Sequence, residues 1–270
     1  MNYLLSIIAG ALQGLTEFLP ISSSGHLLLF HDVLGFDFSD ELLFDVMLHL
    51  GTLVAVVVFF YHDLEKIIRG FLSSLVNWNL RNNYNQRVAW LVVAGTMPAA
   101  LAGYFFEDFI STTLRSPLIV GIMFIVIGLL FFVFEHLAKK QKDIQMMSVP
   151  DSLIVGLAQI LSLVPGVSRS GITIIAGLSR RLKREEAAKF SFLISAPIIF
   201  GAALKKILEL PVLNGADFLM LVLGGLSAAL TGYLTIKYLL KYLANHSLNI
   251  FAWYRLIIGS LTLIWFFFLA

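Results

Sequence analysis

Between Leu118 and Phe134 no residue carries a polar side chain, and runs nearly as apolar cover Leu53 to Tyr61 and Ile250 to Ala270. Such runs are bilayer spans: about 20 apolar residues cross the hydrocarbon core as a helix, which satisfies its own backbone N–H and C=O groups where water cannot. Composition agrees. The chain is 59% hydrophobic and 13% charged, against roughly 45–50% and 25% in an average soluble domain. An ordinary soluble globule is excluded. The absence of cysteine removes disulfide frameworks, thiolate metal sites and thiol nucleophiles. The formal charge of +2 says little as a total, because orientation in a membrane depends on which loops hold the Lys and Arg. The N-terminal apolar stretch lacks a basic leader and carries Glu17 where it ends, so it is expected to be retained.

Two apolar segments are too short to span. Residues 2 to 19 run into Pro20, and Ser22-Ser23-Ser24-Gly25-His26 opens a second stretch that fades near Gly35. The pair reads as a re-entrant helical hairpin that enters and leaves on one side. The same form recurs over residues 151 to 182, with a break at Pro165-Gly166 and a new start at Ser168-Arg169-Ser170-Gly171. Gly10 pairs with Gly156, Gln13 with Gln159, Ser22 with Ser168, Ser24 with Ser170, Gly25 with Gly171 and Phe44 with Phe190, all at one constant separation. That is the mark of a duplication, with repeat one about 1–145 and repeat two about 146–270 of a single membrane domain. Three spans follow each hairpin: roughly 41–61, 87–106 and 117–137, then 186–206, 217–238 and 250–269. An odd number inverts the second half. The expected fold is therefore an all-α integral membrane protein with an inverted-topology repeat, about six transmembrane helices and two re-entrant hairpins.

Charge sorts the loops. One side holds Lys66, Arg69, Arg81, Arg87, Lys139, Lys140, Lys142, Arg180, Arg181, Lys183, Arg184, Lys237 and Lys241. The other has Arg115, Lys205 and Lys206 beside Asp32, Asp37, Asp40, Glu41, Glu107 and Asp108. The positive-inside rule makes the first side cytoplasmic, with both termini and the first hairpin's entrance outside. The hairpin tips then meet near the midplane, where inverted-repeat proteins build their sites.

A charge at membrane depth costs about 2.5–3.5 kcal/mol on an insertion scale, so each one needs a reason. Gln13 and Glu17, four residues apart, share one face of the entering helix. Ser22, Ser23 and Ser24 sit at a helix start, where unpaired N–H groups and the dipole favour an anion, and His26 follows within a turn as a candidate proton carrier. The second hairpin offers Ser168, Arg169 and Ser170 at another helix start, with Gly166 and Gly171 for close approach and Thr173 on the next turn. Arg169 suits a phosphate because its planar fork donates two parallel hydrogen bonds. Taken singly, a serine reads as an N-cap, Glu17 as a residue snorkelling to the interface, and His26 as a core histidine. Their convergence with Arg169 reads as a pyrophosphate cradle. Arg255 is either a second phosphate contact or the neutraliser of a carboxylate, while His49 and the Met residues read as packing on span faces.

These residues resemble the undecaprenyl-pyrophosphate phosphatase (bacitracin-resistance) family. Its two signatures stand here as Gln13-Gly-Leu-Thr-Glu17-Phe-Leu-Pro20-Ile-Ser-Ser-Ser-Gly-His26 and Pro165-Gly-Val-Ser-Arg-Ser-Gly-Ile-Thr173, with Phe190-Ser-Phe-Leu before Pro197 and Tyr254-Arg255 extending the match. The resemblance implies hydrolysis of a C55 polyprenyl pyrophosphate to the monophosphate, recycling the carrier lipid of peptidoglycan synthesis and conferring bacitracin resistance. It implies Ser23 as nucleophile, Glu17 as its base or a metal ligand, His26 as acid–base partner and Arg169 as phosphate clamp. Ser22, Ser24, Gly25, Ser168, Ser170, Gly171 and Thr173 would line the phosphate. Many relatives have Glu where this chain has Gln13, which leaves one carboxylate to hold a divalent cation, Mg²⁺ or Ca²⁺. The partners expected are the polyprenyl pyrophosphate lipid and the bilayer, with no nucleic acid; a homodimer is admitted. The place expected is the bacterial inner membrane, with the site open to the periplasmic side. Broken helices at the midplane are also the plan of secondary transporters, so an inverted-repeat carrier or lipid-phosphate flippase is the competing expectation.

Overall fold

The computed structural model describes residues 2–34, 38, 41–208 and 215–268. Gly35, Asp37, Asp40 and the last residue of the final expected span lie outside these, as do the side chains of Glu41, Glu107, Asp108 and Lys206. The helices are α1 (Asn2–Phe18), α2 (Ser23–Leu34), α3 (Glu41–Phe59), α4 (Tyr61–Val76), α5 (Tyr84–Thr113), α6 (Pro117–Leu137), α7 (Val149–Ile160), α8 (Arg169–Ser179), α9 (Arg184–Leu208), α10 (Gly215–Leu243) and α11 (Asn249–Phe268). Among the described residues five helices (α5, α6, α9, α10 and α11) are long and apolar enough to cross a membrane, and α3 joined to α4 makes up to six. The expected spans fall on these helices. The starts carry local signals: Ser116 caps α6 by accepting the Ile119 N–H at 3.3 Å, with Pro117 at the first helical position. Ser148 and Asp151 form a reciprocal capping box on α7.

The loop expected after the first span is instead α4, which leaves α3 at 86°. Its apolar residues are interleaved with Asp63, Glu65, Lys66 and Arg69, and Gly70 lets it lie directly against the α5 backbone at Asn85. Ile68, Leu72 and Leu75 stay exposed beside those charges, the distribution of a helix lying along a membrane surface.

Helices α1, α2, α7 and α8 have 17, 12, 12 and 11 residues, short of the length a span needs. α1 packs on α2 and α7 on α8, giving two helical hairpins. Each hairpin's long arm lies on a helix from the other half, α1 along α10 and α7 along α5. The contacts match pair by pair. Ser6 Oγ donates to the Met220 carbonyl at 2.5 Å, and Ser152 Oγ to the Leu91 carbonyl at 2.5 Å. One turn on, Gly10 abuts the backbone at Gly224 and Gly156 the backbone at Gly95, approaches that leave no room for a Cβ. α3 on α9 and α6 on α11 close the central seams.

Phe18, Phe131, Phe190 and Phe192 are core residues of the seam between the halves, with the Phe18 and Phe192 rings edge to face at 5.2 Å. Outward, Leu129, Val133, Leu226, Leu230, Ile257 and Leu261 are exposed, a greasy belt that only lipid or another apolar surface can cover. The basic loops gather at one end. There Glu135 binds Arg184, Lys140 at 2.7 Å and the Leu248 N–H at 3.3 Å, and Asp151 binds Arg180 at 2.8 Å and Lys142 at 3.0 Å. At the opposite end Asp45 joins His31 at 2.9 Å and Arg115 at 3.3 Å.

Candidate active site

The two hairpins break with the same turn. Ser22 and Ser168 have φ values of 77° and 74°, a left-handed conformation that costs a non-glycine residue on the order of 1–3 kcal/mol unless its surroundings hold it. The serine itself does the holding. Ser22 Oγ accepts the Gly25 N–H at 3.3 Å and Ser168 Oγ the Gly171 N–H at 3.1 Å. The next serine of each turn lies alongside, with Ser22 and Ser24 hydroxyls 3.3 Å apart and those of Ser168 and Ser170 3.2 Å apart. Both helices thus start with an N-cap of small residues.

The two turns converge on Glu17, which is buried near the inner end of α1. Ser23 Oγ donates to Glu17 Oε2 at 2.5 Å, and Arg169 Nη2 donates to Glu17 Oε1 at 2.6 Å. A hydroxyl from one hairpin and a guanidinium from the other therefore sit on the two oxygens of a single carboxylate. Gln13 Nε2 donates to Oε2 at 3.1 Å, and Arg169 Nη1 also reaches the Ser191 carbonyl at 3.4 Å. A fourth group completes the ring around Glu17. His49 Nε2, on α3, lies 3.4 Å from Oε2, so the packing role expected for this histidine is corrected: it faces the site. Sequence gave no sign of this, because a lone His in an apolar helix has no local partner that would single it out.

Other expected residues take different places. His26 is turned toward α11, with Nδ1 2.7 Å from the Ser22 carbonyl and Nε2 2.8 Å from the Tyr254 hydroxyl; the His26 and Tyr254 rings stack 5.8 Å apart. Thr173 is occupied by the Ser191 hydroxyl and the Arg169 carbonyl, both at 2.7 Å, and it braces the start of α8. Ser170 Oγ donates across to the Leu19 carbonyl at 3.3 Å, stitching one turn to the other. Ser24 is the exposed member of the set.

Arg255 does neither of the things expected of it. Fully buried, it donates to five carbonyl oxygens: Pro20 in the first turn, Gly166 and Val167 in the second, and Met123 and Phe124 on α6, at 2.6–3.3 Å. Its guanidinium carbon lies 5.2 Å from the centre of the Phe124 ring. Breaks in the two hairpins leave the Pro20, Gly166 and Val167 carbonyls without helical partners, and one guanidinium satisfies all three at once.

The residues around Glu17 do not form a seat for a resident Mg²⁺ or Ca²⁺, which favour six or more hard oxygens. One carboxylate is present, and its oxygens are taken by a guanidinium, a hydroxyl, an amide and an imidazole. Among the described residues no group of three His, Cys, Asp or Glu converges anywhere.

Fold and site together define a multi-pass α-helical membrane protein in which two helical hairpins bring a serine and an arginine onto one buried carboxylate. Residues 6–261 match the model of the family described as bacitracin resistance protein BacA, and the chain belongs to that family. It is 48% identical over 265 residues to an undecaprenyl-diphosphatase of Rubrobacter xylanophilus, covering 97% of each chain. It is 41% identical to proteins of the same name from Desulforudis audaxviator, over 96% of each chain, and Methanosphaera stadtmanae, over 98% of each.

Proposed function

We propose that this protein hydrolyses undecaprenyl pyrophosphate to undecaprenyl phosphate and phosphate, returning the carrier lipid to peptidoglycan synthesis and so conferring bacitracin resistance. The observation that carries the proposal is the meeting of Ser23 and Arg169 on Glu17. A serine hydroxyl is a poor nucleophile at neutral pH, and a carboxylate already accepting its proton at 2.5 Å supplies the base it needs. Breaking a phosphoanhydride chiefly requires alignment and neutralisation of charge. Arg169 supplies the fixed charge, and the N–H groups at the starts of α2 and α8 supply dipoles. Ser22, Ser24, Gly25, Ser168, Ser170 and Gly171 shape that cradle, Thr173 braces it, and His26 with Tyr254 is the proton carrier on the α11 side.

In the proposed sequence Ser23 Oγ attacks the terminal phosphorus, giving a phosphoserine and the lipid monophosphate, and water then cleaves the phosphoserine. A divalent cation would be held by the pyrophosphate oxygens and not by the residues around Glu17, and would supply charge neutralisation there. The relatives' shared name is that of a hydrolase, which counts against the carrier reading. The clustering of Lys and Arg at one end supports that end as cytoplasmic in the bacterial inner membrane, with both termini and the mouth of the first hairpin on the outer side. The paired contacts of α1 with α10 and α7 with α5 support an inverted duplication near residues 145–146 in a single domain. A homodimer is proposed as well, because a second copy covers the apolar outer faces as readily as lipid does; mass in detergent by light scattering decides it.

The test is phosphate release from polyprenyl pyrophosphate by purified protein in detergent, with and without chelator. The native chain is expected to turn over and Ser23→Ala to lose at least about a thousandfold in kcat. Near-full turnover by Ser23→Ala removes the phosphoserine from the mechanism.

A further inference from the structure

His49 is the titratable group on Glu17 that the hydrolytic sequence above leaves without a part. Its Nδ1 is 2.7 Å from the Asp45 carbonyl oxygen, which can only accept, so that nitrogen carries a hydrogen and Nε2 is left to face the site. Nε2 lies 3.4 Å from Glu17 Oε2, the same oxygen that accepts the Ser23 hydroxyl. The two atoms are within ion-pair distance of each other. One added proton converts the contact into an ion pair.

The surroundings isolate this pair. Arg169 of α8 holds the other oxygen of Glu17, and the Gln13 amide of α1, which reaches Oε2, does not titrate. The Asp45 carboxylate on His49's own helix is engaged with His31 of α2 and Arg115. Of the neighbours packed on α3, α9 has no charged side chain between Lys189 and Lys205, and α10 has none between Asp217 and Lys237. Lys189 is paired with Asp63 of α4, and Tyr233 of α10 packs on Phe59.

We propose that His49 is a positioning residue for hydrolysis, holding Glu17 Oε2 on Ser23 and storing the proton that Ser23 gives up. The proposal rests on the hydrolase reading above. As the Oγ–P bond forms, the Ser23 O–H bond breaks and its proton passes to Glu17 Oε2 and on to His49 Nε2. The P–O bond to the lipid phosphate breaks with its electron pair on the departing lipid oxygen. When water attacks the phosphoserine, Oγ leaves and recovers the stored proton, and both protons of the water depart with the released phosphate.

The experiment is the pH dependence of kcat and KM for phosphate release from polyprenyl pyrophosphate in detergent, for the native protein, His49→Gln, and Gln13→Glu/His49→Gln. Glutamine keeps an N–H near Glu17 and cannot titrate. Its kcat is expected to fall by about a hundredfold with KM within about twofold, and the acid limb of the native kcat profile is expected to move or vanish. Gln13→Glu in that background returns a proton acceptor to the same oxygen and is expected to recover about tenfold or more, with a new acid limb. Native kcat and an unmoved profile in His49→Gln overturn the proposal, as does a lower kcat whose profile is unmoved and which the second substitution does not restore. No phosphate release by the native protein overturns the hydrolase reading itself, and this proposal with it.

Discussion

Ser22-Ser23-Ser24 and Ser168-Arg169-Ser170 begin two helices with the same left-handed cap, the same serine-to-glycine hydrogen bond and the same pair of adjacent hydroxyls. At the middle position they differ completely: one presents a hydroxyl, the other a guanidinium. The carboxylate that both seek exists in the first hairpin alone, for the residue equivalent to Glu17 in the second is Leu163. The glutamines one turn earlier mark the same split. Gln13 Nε2 is bound to Glu17, whereas Gln159 Nε2 is bound to the Gly95 carbonyl. A shared backbone with divided side chains lets one turn specialise in attack and the other in charge, and neither is complete without its counterpart.

What keeps the two turns in register is Arg255, which donates to carbonyls of both. Arg255→Met strips the Pro20, Gly166 and Val167 carbonyls of their donor and is expected to cost on the order of 3–5 kcal/mol, read as a drop in Tm in detergent. Arg255→Lys recovers only part of it, since an ammonium has three donors and no fork. A native Tm for Arg255→Met would mean that each turn holds itself and the comparison loses its link. Next in size is Arg169→Lys, which keeps charge but not the fork. Its kcat/KM is expected to fall about 10²–10³-fold with Tm little changed, and equal activity would reduce the second turn to a point charge.

The hairpins were legible because their signals are local: Pro20, Pro165 and Gly166 stop one helix, serine-rich caps start the next, and the duplicated spacing ties them together. Glu17 and Arg169 were legible too, since a charge at membrane depth needs a reason. Three features were hidden for physical causes. Arg255 has carbonyl partners, and backbone carbonyls carry no mark in a sequence. His49 meets Glu17 only because α3 packs beside α1. The surface helix α4 mixes apolar and charged residues within a turn, so no long run announces it, and its angle to α3 depends on the packing of Gly70 against Asn85.

The smallest effect separates the two caps themselves. The glycine three residues after each positive-φ serine donates to it, and any residue but proline can make that bond. The neighbours differ, however. A Cβ at Gly25 comes within 2.8 Å of the Phe124 ring, which is fully buried and packed against Arg255. A Cβ at Gly171 comes closest to the Ser168 side chain, at 3.1 Å, where a few tenths of an ångström of movement relieve it, and meets the Phe131 ring at an ordinary contact of 3.5 Å. Overpacking a rigid ring costs about 1–3 kcal/mol, while alanine regains up to about 1 kcal/mol over glycine inside a helix. Gly25→Ala is therefore expected to lower Tm, and Gly171→Ala to leave it within about 1 kcal/mol of native. Thermal unfolding of the two variants side by side checks this, and equal losses would mean that the cap geometry, not the Phe124 wall, is what each glycine serves.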